Sequence, residues 1–140
     1  MKVYFSLFVI SFAIILFPVS DHENDISGVY VSKNPTFGEK TAIMYSQGYM
    51  NFLFLGVKDE TLELRPDNTF TRTLNACKRG PVSDTGKWKK SGKTIILDFD
   101  TPEHENQSFT IYKKARLYMV ADMDIGEGET MPHLTLLEKQ

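Results

Sequence analysis

The sequence predicts an all-β fold, an antiparallel meander closing into a small barrel, with one short helix near residues 39–47. Three observations carry this. After Ile26 the chain runs in short segments rich in Val, Ile, Thr, Tyr and Phe. Within them apolar and polar residues alternate with period two, as on a half-buried strand. Turn residues break the segments about every ten positions, the spacing of sequential strands in a sandwich or barrel. Closure into a barrel removes exposed strand edges, which favours it over an open sandwich.

The first strand is read in ISGVYVS, Ile26 to Ser32. A loop follows over Asn34 to Gly38. Glu39 to Gln47 fits a short helix and fits a strand equally, and Asn51 to Leu55 fits a continuous apolar strand or a buried segment. TLELRPDNTFTRTL, Thr61 to Leu74, is a hairpin. Leu62, Leu64, Phe70 and Leu74 share one parity and face inward, whereas Thr61, Glu63, Thr69, Thr71 and Thr73 face outward. Its turn is RPDN, where Pro66 presets the backbone angle and Asp67 and Asn68 tolerate tight conformations.

A second hairpin spans Asp84 to Asp100, with Trp88 on one arm, Ile95, Leu97 and Phe99 on the other, and Ser91-Gly92 at the turn. A third spans Ser108 to Asp124. Phe109 and Ile111 share a face on one arm, Leu117, Met119 and Ala121 on the other, and Lys113 to Ala115 connect them. HLTLLEK, His133 to Lys139, is the last strand.

The N-terminus, MKVYFSLFVISFAIILFPVS, has the layout of a secretory signal: Lys2, an apolar run from Val3 to Val19, then a polar exit. The run is at the short end of the ~17–25 residues of a spanning helix, and Pro18 disrupts its end. The expected organisation is a signal peptide over 1–20, a loose tail over 21–25 and one barrel domain over 26–140. The expected location is periplasmic or secreted, with no stable membrane anchor once the signal is cut. Removing the leader takes away Lys2 and leaves 18 acidic residues, moving the net charge from −2 to −3. Such near balance argues against a nucleic-acid binder. The single cysteine, Cys77, has no internal disulfide partner and no nearby His to activate it.

The run SGVYV, then TLELRPDNTFTRTL, then DTGKWKKSGKTIILDF resembles the small bacterial lipocalin-like (calycin-type) exported domains. The matching residues are Gly28, Tyr30, Leu62, Leu64, Asp67, Phe70, Gly86, Trp88 and Ile95 to Leu97, across roughly half the chain beyond the leader. Two departures stand out: Asn68 replaces the Gly expected after the turn Asp, and no Cys is present for lipid attachment. The resemblance implies a β-barrel with a central cavity, and it fixes no activity.

Sites for chemistry are sparse. His22, His104 and His133 lack the spacing of a helical zinc pair. DMDIGEGE, Asp122 to Glu129, begins like a calcium loop, but Glu127 stands where that loop needs Gly and His133 where it needs Glu. A solvated hairpin turn fits it better. Lys78, Arg79, Lys87, Lys89, Lys90 and Lys93, with Lys113, Lys114 and Arg116, read as ordinary charged strands and turns interleaved with acids. No nucleophile elbow or phosphate loop occurs.

The expectation is therefore a non-enzymatic exported barrel binding a small apolar or amphipathic ligand, with no cofactor and no metal. Its lining would be Leu62, Leu64, Phe70, Trp88, Leu97 and Phe99. Met44, Tyr45, Tyr49, Phe52 and Phe54, a soft and aromatic group, would close one end. The alternative is an extracytoplasmic protein-interaction module, an inhibitor or envelope-assembly factor. It would meet a protein partner through Asn34–Gly38, Cys77–Ser83 and Asp100–Gln107.

Overall fold

The computed structural model describes residues 25–48, 59–75, 80–113 and 115–140. Several expectations fall outside them: the signal peptide, most of the tail, His22, the strand reading of Asn51–Leu55, Cys77 with Lys78 and Arg79, and Lys114. Among the described residues, eight strands form one closed antiparallel barrel in chain order. They are β1 (Gly28–Ser32), β2 (Glu60–Leu64), β3 (Thr69–Leu74), β4 (Val82–Ser91), β5 (Thr94–Phe99), β6 (Gln107–Lys113), β7 (Arg116–Gly126) and β8 (Glu129–Lys139). The helix α1 (Phe37–Gln47) lies between β1 and β2 in sequence. The expected meander, its closure and its short helix are all present.

Local chemistry sets the turns. Between β2 and β3 the Asp67 carboxylate accepts from the Thr69 N–H at 3.0 Å and from its hydroxyl at 2.6 Å. These bonds hold its carboxyl below the usual range, the hydroxyl bond contributing most. Asn68 takes φ +65°, the left-handed conformation that Asn tolerates in place of Gly. The Trp88 indole N–H donates to the Arg65 carbonyl at 3.0 Å and ties β4 to this turn.

One alternation fills the interior. Tyr30, Leu62, Leu64, Phe70, Ile95, Leu97, Phe109, Leu117 and Leu137 are each at most 1% exposed and belong to one apolar cluster. Phe70 meets Phe99 edge to face at 5.2 Å. Gly86 makes that contact feasible: a Cβ there would run into the Asp98 carbonyl and lie 2.8 Å from the Phe70 ring.

The opposite alternation forms a second cluster. Tyr118, Leu134 and Leu136 point away from the interior and pack against Ile43 of α1, with Met44, Tyr112 and Val120 alongside. The helix therefore covers the outer face of β7–β8. Thr36 and Glu39 cap its start reciprocally, and Gly48 ends it at φ +70°. Glu39 also binds Arg116, and Arg116 donates to Glu138 at 2.9 and 3.1 Å. Those bonds, with one from Lys33, hold the Glu138 carboxyl below its usual range.

The barrel has two unlike ends. At the turn end sit Arg65–Asn68, Gly92–Lys93 and the connection from Lys113 to Arg116. At the loop end sit the last residues of β1 and β3, the first residues of β2 and β4, Asp100 to Asn106, and the tip of the β7–β8 hairpin.

Candidate functional site

Polar residues at inward positions gather toward the loop end. Glu60 opens β2 with the parity of Leu62 and Leu64, and it is wholly buried. Arg72 has the parity of Phe70 on β3 and is 7% exposed. Its Nε donates to Glu60 Oε1 at 2.6 Å and its Nη1 donates to the Gln107 side-chain oxygen. The guanidinium carbon lies 5.8 Å from the centroid of the Phe109 ring, which it faces. Glu60 Oε2 is buried and has no hydrogen-bond partner among the described residues.

Neighbouring strands extend this group. Asp84 stands opposite Arg72 in the β3–β4 ladder. It faces His104 from the β5–β6 loop, with Nδ1 3.4 Å from its carboxylate oxygen. The His104 ring also meets Phe99 edge to face at 5.5 Å. On β8, His133 is 4% exposed and Thr135 5%, on the parity of inward Leu137 and opposite Ala121 and Met119. The barrel thus carries an apolar plug toward its turn end. Above it lies a polar layer of an ion pair, an amide and an imidazole–carboxylate pair.

The expected lining residues divide. Leu62, Leu64, Phe70, Leu97 and Phe99 meet in the interior cluster, with Trp88 packed against it. Met44 does not join them; it lies in the outer cluster beneath α1. Tyr45 is 84% exposed on the solvent side of the helix. The expected end closure therefore does not extend to these two, because α1 docks on the outside of the wall. Tyr49, Phe52 and Phe54 lie outside the described residues.

The sequence expectations included no inward role for Glu60 or Arg72, and placed Gln107 at the end of the Asp100–Gln107 loop. The signal was present: Glu60 and Arg72 share the even parity of Leu62, Leu64 and Phe70, and Gln107 that of Phe109 and Ile111. A charged residue on the inward parity is a departure that alternation alone exposes.

Elsewhere, Asp122 to Glu129 form the exposed tip of the β7–β8 hairpin, where Asp124 accepts from the Gly126 N–H at 2.8 Å. Lys87, Lys89, Ile96, Asp98, Asn106 and Trp88 border a small pocket of about 110 Å³. No family model, curated protein or solved structure matches the chain.

Proposed function

We propose that this chain is an exported, non-enzymatic binding protein whose barrel takes a small amphipathic ligand at its loop end. The leader-like first 20 residues support export, and the closed barrel supports the resemblance to lipocalin-like domains. One observation carries the binding reading: the Glu60–Arg72–Gln107 group inside the loop end. Burying an ion pair costs desolvation, and apolar residues of similar volume often stabilise a core as well or better. A barrel serving only as scaffold gains little from this pair. A barrel that orients a polar head above an apolar floor gains specificity.

The test is native mass spectrometry of the protein expressed from its full sequence and recovered after export, with and without added amphiphile. A stoichiometric extra mass, lost on denaturation and lost in Arg72→Met, is the expected result. A clean apo mass with no uptake of either an amide-headed or a carboxylate-headed amphiphile overturns the reading.

A second reading, docking of a protein partner through the loops, has its own support. Phe37, Val82 and Ile125 are 85%, 48% and 51% exposed, and the last two stand at the loop end. Partner capture that is abolished by Phe37→Ser and unaffected by the double variant Arg72→Met with Glu60→Leu would favour it.

A further inference from the structure

Resting on the ligand-binding reading, we infer that the loop-end site selects an uncharged polar head that both donates and accepts hydrogen bonds, such as a carboxamide, and discriminates against a carboxylate. The guanidinium of Arg72 is the obvious attraction for an anion, but Glu60 already balances its charge from 2.6 Å. A ligand carboxylate would bring a second negative charge against the wholly buried Glu60 carboxylate, with one guanidinium to balance both. It would also face Asp84, which stands opposite Arg72 in the ladder. The His104 Nδ1 lies 3.4 Å from the Asp84 carboxylate.

What Glu60 lacks is a second donor. Glu60 Oε2 is buried with no hydrogen-bond partner among the described residues, an arrangement that a donor on the ligand would relieve. Gln107 spends its carbonyl oxygen on Arg72, so its amide N–H groups are what it offers a ligand acceptor. A head with an N–H donor beside a carbonyl acceptor matches both.

The test titrates octanamide and octanoate into the purified full chain by calorimetry, with wild type and Glu60→Gln side by side. Wild type is expected to bind octanamide at least tenfold more tightly. Glu60→Gln removes the counter-charge of the guanidinium and is expected to reverse that preference, tightening octanoate at least tenfold. Wild type binding octanoate as tightly as octanamide overturns the inference and leaves the carrier reading standing. That ratio needs no variant, so it decides the matter even if Glu60→Gln misfolds. A folded Glu60→Gln with an unchanged preference also overturns it. If neither probe binds either protein, the carrier reading falls and takes the inference with it.

Discussion

Arg72 and Glu60 neutralise each other in a space that is otherwise mostly hydrocarbon, so their energetics are those of a pair rather than of two residues. Arg72→Met leaves Glu60 buried without its counter-charge and is expected to cost about 3–5 kcal/mol in urea denaturation. The double variant Arg72→Met with Glu60→Leu removes both charges and is expected to recover most of that loss. A double variant as unstable as the single would show that the pair's geometry, not its charge, matters. Tyr30 gives a second test. It is 1% exposed and donates to the Ile26 carbonyl at 2.6 Å. Burial, with a contribution from the Asp25 charge, pushes its phenol up from 10.0 to about 12. The folded value lies above the unfolded one, so Tyr30's contribution is complete below pH 10 and is lost as pH rises toward 12. At about 1.36 kcal/mol per pH unit the loss approaches 3 kcal/mol. Thermal unfolding from pH 9 to 12 should show a steeper decline in wild type than in Tyr30→Phe; parallel curves would refute this. The inward parity of Tyr30 was legible in the sequence. That of Glu60, Arg72 and Gln107 was equally present, but a search for apolar residues on one face does not see the polar ones among them.

At the scale of the element, α1 depends on its ends and on one contact face. Thr36 and Glu39 satisfy each other's backbone N–H groups at 3.2 and 2.9 Å, and Glu39 also binds Arg116 on β7. Thr36→Ala is expected to cost about 1 kcal/mol, read as a fall of a few degrees in the melting midpoint. Glu39→Ala should cost more, because it also removes a partner of Arg116. Equal losses would mean that the tie to β7 contributes nothing. The sequence leaves this segment open between helix and strand for a physical reason. Only Ile43 and Glu39 are buried, and exposed Phe37 and Tyr45 blur the apolar stripe that marks an amphipathic helix. The sequence signal that survives is the Thr-x-x-Glu cap. Strand ends show the same limit. The last strand, read from His133, begins at Glu129, because its first residues are exposed and carry no alternation.

For the whole molecule, the order of strands follows from short connections between sequential elements, which is why the meander was legible. The side of the wall on which α1 rests was not, since both alternations of β7–β8 supply apolar residues: Leu117 and Leu137 inward, Tyr118 and Leu136 outward. The seam between β1 and β8 brings the two ends of the described chain together, with the Gln140 N–H donating to the Val29 carbonyl at 2.9 Å. A circular permutant that links Gln140 to Asp25 across this seam and opens at Gly92–Lys93 is expected to fold to the same barrel, with a midpoint within a few degrees of wild type. Loss of cooperative unfolding in that permutant would show that chain order, and not the closed ladder, stabilises the fold.

The seam also sets a timetable. Strands β1 and β8 are the pair most distant in sequence, so closing their ladder is expected to be the slowest and last step of folding. Until then the growing sheet has two raw borders, β1 and whichever strand is newest. Each is a template on which another chain of the same sequence can zip. For a chain that emerges from its N-terminus, as any newly made chain does, this favours swift delivery of the C-terminal strand and dilution of unfinished chains. Crowded refolding would give intertwined dimers, in which β8 of one copy seals the barrel of another.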